Sequence, residues 1–381
     1  HMETTDGFTP RAAWISALPA FSALGLVLWG VWGVRRHLRL SRVLGAILVL
    51  AAAVRFVWMP IEFHTFDGHE AEYFDIFRGE RELSRGSVML YPALQWLYAG
   101  LGRVSHSPWL LLSVSGAASL LSVAATFGIA RRLYGIRVAT AAALLLSLWG
   151  NHAFWATSAY NVALPLAMAL VAVWALLLCA EEEETLAPAA LASGAAVLAV
   201  SMRVECALLA PVGLALFLLK RPRLSLGSWI MLGAGAALSA AAMALVLTAG
   251  PLPGGDERGL ALVANLKHLG FWAPFGGWAG LLVFGGVAFG LRKRRGVTLV
   301  LLFFIVGLHV AIASFNDGGF RHTVFGAWAI ALLLGSLIEY RGGWVALGLA
   351  ALLLLSHSQD VSSRYYLSEE EFGERLSEAP S

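Results

Sequence analysis

The stretch "AILVLAAAVRFVWMPIEFHTFDGHEAEY", residues 46–73, joins an apolar run directly to a segment crowded with ionisable side chains. Its first fifteen residues carry one charge, at Arg55, and suit only lipid or a deep protein core. The ten residues from His64 to Tyr73 contain two histidines and three acids. This pattern is typical of a membrane-spanning helix that opens into a polar external loop.

The composition of the whole chain extends this interpretation. Of 381 residues, 59% are hydrophobic and 13% are charged, and the mean hydropathy is +0.73. Such a chain is too apolar for a water-soluble domain of this size. About twelve runs approach the length of about 20 residues that a membrane span needs. We therefore predict an all-α polytopic membrane protein with a single transmembrane domain over residues 1–381.

The basic residues indicate topology. The net charge is +3 and the pI is near 9.0, but the cations form short clusters between apolar runs, so we expect no nucleic-acid partner. Placing every cluster in the cytoplasm puts both termini and the segments 61–107, 250–275 and 357–381 outside. The predicted spans are residues 14–34, 43–60, 108–130, 138–155, 160–180, 186–202, 204–219, 226–248, 276–291, 297–314, 323–338 and 345–356.

The first external segment contains "DIFRGERELSRG" and "VMLYPALQWLYAGLG". One stretch is charged and the other apolar, and both predict interfacial helices lying beside the bilayer. The tail after Ser356 is predicted to form a short exposed helix.

Ionisable residues near the membrane gather at one depth. A charge inside a bilayer is costly, so each such residue is a candidate for a functional site. A transporter would more often place these residues near the midplane. Their one-sided distribution favours a site that takes one substrate from the membrane and another from the outside water, and hence a lipid-linked reactant. The residues concerned are Arg55, His64, Asp67, His69, Glu70, Glu72, His152, Arg203, Glu205, Lys267, His268, His309, Arg321 and His322.

Five motifs follow one another in a recognisable order. They are "FDGHEAEY", "YPALQWLYAGLG", "RRLYG" at residues 131–135, "SMRVECALLAP" and "GFRHTVF". The series resembles the polytopic GT-C glycosyltransferases, in the branch of protein O-mannosyltransferases and lipid A aminoarabinose transferases. The resemblance covers roughly residues 1–220 and fades toward the C-terminus.

Two departures from the family pattern bear on the site. Relatives have adjacent Asp and Glu before a small residue, whereas this chain reads His69-Glu70-Ala71, with its aspartate at Asp67. Relatives often have an arginine after the span that corresponds to residues 138–155, and "NHAFWATSAYN" has none. The first departure leaves the base open between Asp67 and Glu70, and the second suggests a different contact with the donor.

The resemblance implies a GT-C fold and sugar transfer from a polyprenyl-phosphate donor, such as undecaprenyl phosphate, to a lipid, glycan or protein acceptor. It places the enzyme in a bacterial inner membrane with a periplasmic site and inversion at the sugar. A carboxylate can take the acceptor's proton, for which we prefer Asp67 over Glu70. The leaving phosphate needs nearby positive charge. The candidate donor contacts are Arg203, Arg321, His322, Lys267, His268, His69 and Arg55.

Each of these assignments has a plainer alternative. The acids could cap a surface helix, Arg203 could extend to the interface, and Lys267 with His268 could instead grip the acceptor. Arg55 is also interpreted as a structural partner for Glu62. Because positions two apart on a helix do not face each other, we expect more than a local pair for Arg203 and Glu205.

We predict no metal and no cofactor. His64 and His69 could join the acids around a divalent ion, but no rigid ligand spacing demands it, and the branch resembled here generally needs no metal. Two rival functions remain. One is a transporter or flippase of lipid-linked sugars, and the other is a polysaccharide polymerase or ligase that depends on external arginine and histidine.

Overall fold

The computed structural model describes residues 10–35, 41–58, 75–80, 92–157, 162–182, 186–248, 279–314 and 324–363. Every regular element within these ranges is helical, which confirms the all-α prediction for the described chain. The α-helices are α1 (Pro10–Val34), α2 (Arg42–Trp58), α3 (Pro92–Val104), α4 (Pro108–Leu133), α5 (Ile136–Leu148), α6 (Gly150–Thr157), α7 (Ala163–Cys179), α8 (Leu186–Met202), α9 (Leu209–Leu219), α10 (Leu226–Thr248), α11 (Ala279–Lys293), α12 (Arg295–Ser314), α13 (Val324–Gly335) and α14 (Gly343–Ser363). Short 3₁₀ turns cover Val204–Leu208 and Ser336–Glu339.

These helices form two compact units whose segments alternate along the chain. Unit 1 contains α1, α3, α7, α8, α9 and α10. Unit 2 contains α2, most of α4, α5, α6 and α11 to α14.

Unit 1 is built around α8. Fourteen of its seventeen residues are buried, because α1, α3 and α10 all pack against it. Its sequence, "LAPAALASGAAVLAVSM", is rich in small residues, which let neighbouring helices approach closely. The hydroxyl of Ser193 on α8 donates a hydrogen bond to the carbonyl oxygen of Met231 on α10 at 2.9 Å. A helix that is apolar all round, as α8 is, belongs in the interior.

Unit 2 is built around α13. All twelve residues of this helix are buried, and it contacts α5, α11 and α12. The indole ring of Trp328 packs on Phe304 of α12 with a centroid separation of 5.7 Å. The helix α2 packs on α5 and α6 in the same unit.

Several predicted spans differ from the helices. The predicted span 138–155 is two helices, because Trp149 adopts an extended conformation (φ −72°, ψ 109°) between α5 and α6. The predicted span 204–219 begins as a 3₁₀ turn before α9. The last helix continues without a break to Ser363, so the part of the predicted tail up to that residue is the end of α14.

The two stretches predicted to form interfacial helices are helical where they are described, and their interfacial position stays a prediction. The helix α3 begins at Pro92, where a proline ring fits the first turn. The charged stretch is helical over residues 75–78 and ends at Gly79, whose φ of +77° suits glycine. The remainder of that stretch lies outside the described residues.

Two described helices, Trp109–Leu133 and Leu226–Leu245, are long and apolar enough to cross a membrane by length and composition. Eight other apolar helices among the described residues have 10–17 residues. Helices of this length and apolar composition also occur in the cores of soluble proteins. The described helices therefore do not confirm the predicted number of about twelve spans.

The turn in "RRLYG" depends on Gly135. This residue has φ +105° and ψ −179°, a conformation essentially confined to glycine, and its amide donates to the carbonyls of Ala130 and Arg131 at the end of α4. A Cβ at this position would meet nothing within 4 Å. Any effect of substitution there is therefore a backbone effect.

We expect Gly135→Ala to lower the free energy of unfolding by about 1–3 kcal/mol. Gly116 is the matched control, because it lies inside α4 and a Cβ there would also meet open space. Gly116→Ala should stabilise the protein by about 0.5–1 kcal/mol, since alanine favours helix. Denaturant or thermal unfolding of both variants measures the difference, and equal stabilities would contradict the assigned backbone conformation.

Candidate functional site

Arg55 is a buried cation of unit 2. It lies in the last turn of α2, and its residue is only 3% exposed. Its Nε donates to the hydroxyl oxygen of Ser119 on α4 at 2.7 Å, and its Nη1 donates to the carbonyl oxygen of Ala51 at 2.9 Å. The guanidinium is therefore held in a fixed orientation by groups on two helices.

The break between α5 and α6 supplies the remaining partners. The last carbonyls of a helix have no intrahelical donor, and Arg55 Nη1 lies 3.4 Å from one of them, the carbonyl oxygen of Ser147. Just past the break, the Nδ1 atom of His152 lies 2.8 Å from Arg55 Nη2. His152 is buried, and it belongs to the segment in which the family pattern often has an arginine.

Arg203 is the other predicted donor contact among the described residues, and it lies at the break between α8 and α9 in unit 1. It is buried, and its Nη2 lies 2.8 Å from Glu205 Oε1. The local pair forms because Arg203 is extended (φ −165°, ψ 117°) and the following residues form a 3₁₀ turn, and the expectation of more than a local pair stays a prediction. The spacing rule for an α-helix therefore does not apply.

His309 has a local role. Its Nδ1–H donates to the carbonyl oxygen of Ile305, one turn earlier on α12, at 2.6 Å. This hydrogen bond fixes the ring against its own helix. Among the described residues, no group of three or more histidine, cysteine, aspartate or glutamate side chains could hold a metal ion.

The other predicted site residues lie outside the described residues. They are Asp67, Glu70, His69, Lys267, His268, Arg321 and His322, together with Glu62, the suggested partner of Arg55. Two of the predicted donor contacts are among the described residues. Arg55 contacts His152 in unit 2, and Arg203 pairs with Glu205 in unit 1. The sequence analysis missed Ser119, whose only signal is a hydroxyl within an apolar helix.

Unit 1 also holds an apolar cavity of about 500 Å³. Residues of α7, α8, α9 and α10 line it, and most of them are alanine, valine, leucine or glycine. Its few polar side chains include Ser193, Ser239 and Cys206, and Cys206 directly follows the Arg203–Glu205 pair in the sequence. Such a lining suits a hydrocarbon chain better than a polar ligand.

The fold is similar to that of solved membrane-enzyme structures. ArnT from Cupriavidus metallidurans in the apo state gives a TM-score of 0.59 at 17% identity, over 81% of this chain and 62% of ArnT. ArnT bound to undecaprenyl phosphate gives 0.56 at 17% identity, over 79% and 61% of the two chains. The oligosaccharyltransferase AglB from Archaeoglobus fulgidus, in complex with an inhibitory peptide and a dolichol-phosphate, gives 0.52 at 13% identity, over 85% and 56%.

The chain spans less than two thirds of the length of these structures. No protein-family model and no curated protein sequence is significantly similar to it. TM-scores of 0.52–0.59 show a shared fold. Identities of only 13–17% do not show a shared reaction or substrate. Because ArnT and AglB are both GT-C fold glycosyltransferases, the fold predicted from the motifs is confirmed, and this chain has the GT-C fold.

Proposed function

We propose that this protein is a membrane glycosyltransferase that moves a sugar from a polyprenyl-phosphate donor to an acceptor. The observation that carries the proposal is the GT-C fold, shared with ArnT bound to undecaprenyl phosphate and with AglB bound to dolichol-phosphate. In this chain the acidic motif "FDGHEAEY" begins eight residues after the end of α2. The proposed location is a bacterial inner membrane, with the site on the periplasmic side.

The proposed reaction is a single displacement at the anomeric carbon. The acceptor hydroxyl oxygen forms the new bond as the bond from the anomeric carbon to the phosphate oxygen breaks, and the configuration inverts. The acceptor's proton passes to a carboxylate, Asp67 or in its place Glu70. The lipid phosphate leaves as a stable anion, so the step requires no cofactor.

Positive charge stabilises the departing phosphate. The proposed donor contacts are Arg203, Arg321, His322, Lys267, His268, His69 and Arg55. An arginine suits this role because its paired donors match phosphate oxygens. The buried positions of Arg55 and Arg203 support the assignment, since desolvation strengthens the interaction between a cation and an anionic ligand.

The apolar cavity of unit 1 supports a donor with a lipid tail. Its volume of about 500 Å³ falls within the range of ligand pockets, roughly 300–1,000 Å³. Hydrocarbon that enters this cavity from the bilayer would exchange contacts with lipid tails for packing contacts with the alanine and leucine side chains of the wall. A soluble nucleotide-sugar donor would find few hydrogen-bonding partners in such a cavity.

The test is to incubate the purified protein in detergent with a panel of undecaprenyl-phosphate sugars and a panel of acceptors. We expect one donor to raise the unfolding temperature, since a ligand that binds only the folded state stabilises it, and to yield a new glycosidic bond. Movement of lipid-linked sugar across vesicles without bond formation would instead identify a transporter or flippase. Absence of both stabilisation and product with every donor would contradict the proposal.

A further inference from the structure

We propose that His152 binds the donor phosphate through its Nε2–H, and that Arg55, in addition to its proposed contact with the donor, fixes the tautomer of His152. This inference rests on the proposed function, because it names the lipid-linked phosphate as the ligand. The observation behind it is the contact of 2.8 Å between Arg55 Nη2 and His152 Nδ1.

The contact determines which ring nitrogen carries the proton. A guanidinium has five N–H donors and no acceptor, so His152 Nδ1 must accept from Arg55. A nitrogen that accepts carries no proton, and the imidazole is therefore neutral with its hydrogen on Nε2. The imidazolium form would set two donors against each other. Arg55 thus keeps His152 in the tautomer that can donate a hydrogen bond from Nε2.

The Nε2–H then lacks a partner in the described protein. His152 is only 2% exposed, and its one hydrogen bond to a described residue is at Nδ1. An N–H group at such a position is usually hydrogen-bonded, to protein, to water or to a ligand. A ligand oxygen is the partner that gives this arrangement a function.

The charge of the cluster favours an anionic ligand. Among the described residues, Arg55 contacts the Ser119 hydroxyl, two backbone carbonyls and the His152 ring, all of which are neutral. A buried cation is costly unless an anion compensates it. The guanidinium also polarises the imidazole to which it donates, which makes Nε2–H a stronger donor toward a phosphate oxygen.

The location agrees with this ligand. In the predicted topology, α2 ends and α6 lies at the outer side of the membrane, where the phosphate of a periplasmic donor would sit. Arg55 is three residues from the end of α2, and His152 is in the first turn of α6. Arg55 and His152 therefore lie near the end of α2, which the acidic motif follows in the sequence.

Two substitutions distinguish the role of His152 Nδ1 from that of His152 Nε2. In His152→Asn the side-chain oxygen can still accept from Arg55, but no donor reaches the Nε2 position. In His152→Gln the longer amide places an N–H near that position. We expect undecaprenyl phosphate to bind about 10- to 100-fold more weakly to His152→Asn, and to within about threefold of wild type for His152→Gln.

Ligand controls identify what is recognised. Undecaprenol has the same tail without the phosphate, and its weaker binding should not change in His152→Asn. Inorganic phosphate tests the headgroup alone. Wild-type affinity of His152→Asn for undecaprenyl phosphate, or equal weakening in the asparagine and glutamine variants, would overturn the inference.

Nitrogen NMR of histidine-labelled full-length protein gives a readout that a packing role would not produce. We expect His152, identified by the loss of its signals in His152→Gln, to be protonated at Nε2 only, and its Nε2 resonance to shift when undecaprenyl phosphate is added. An imidazolium, a proton on Nδ1 or an unmoved resonance would overturn the inference. If wild type itself does not bind undecaprenyl phosphate, the proposed donor fails, whereas binding that is independent of His152 removes this inference alone.

Discussion

Asp67→Asn is expected to lower the rate of sugar transfer by a factor of about 10²–10⁴, the range typical of a lost general base. The asparagine keeps the size of the side chain but cannot take the acceptor's proton as the new glycosidic bond forms. Donor binding should change far less, because the proton is transferred only in the chemical step. The measurement is kcat/KM for transfer, together with donor affinity from thermal stabilisation.

Glu70→Gln tests the alternative base in the same assay. If Asp67 is the base, Glu70→Gln should be the milder change, and the reverse order would transfer the role to Glu70. Glu80→Gln is the control, since Glu80 is an exposed carboxylate whose partner Arg78 lies 3.6 Å away, and we expect it to retain full activity. Full activity in both acidic-motif variants, with loss in Arg321→Ala, would point to a ligase.

Long apolar helices were the part of the fold that the sequence predicted best. The predicted spans 186–202 and 226–248 coincide with the bounds of α8 and α10. Both are rich in small and aliphatic residues and contain no charged residue, so the hydrophobic signal ends where the helix does. The order of the motifs also predicted the GT-C fold, although the identities to its solved examples are only 13–17%.

The break between α5 and α6 could not be predicted in the same way. Gly150, Asn151 and His152, directly after Trp149, interrupt the apolar run and are a turn signal that the single predicted span overlooked, but hydropathy contains no information about the backbone angles of Trp149 itself. The break is compensated by a distant residue, because Arg55 of α2 lies within reach of the Ser147 carbonyl, 92 positions away. Tertiary contacts of this kind override local preference.

The sequence indicated candidate site residues but not their partners. Grouping the ionisable residues at the outer ends of the predicted spans drew attention to Arg55 and His152, and their role in a site stays a prediction. Their contact joins residues 97 positions apart, and the Ser119 hydrogen bond joins residues 64 apart. The Arg203–Glu205 pair was considered from the sequence, but its spacing was judged by a rule for regular helices, whereas the chain is extended at Arg203.

Gly194→Leu is expected to destabilise unit 1 by about 3 kcal/mol, near the upper end of the usual cost of overpacking. Gly194 lies where α8 meets α1, and even a Cβ there would come within 2.8 Å of the Ala23 carbonyl oxygen and 2.9 Å of the Val27 amide nitrogen. These are backbone atoms of α1, so no rotamer change can make room. The helices must separate, and the contacts around Gly194 would be lost.

Gly25→Leu is the matched control for this contact. Gly25 lies on α1 itself, is exposed, and has nothing within 4 Å of the position of a Cβ. The same change of side chain should therefore be neutral, or stabilising by up to about 1 kcal/mol, because leucine favours helix over glycine. Denaturant unfolding of both variants in the same detergent compares them directly. Because the two positions differ mainly in what faces them, equal stabilities would mean that α1 does not pack against the Gly194 face of α8.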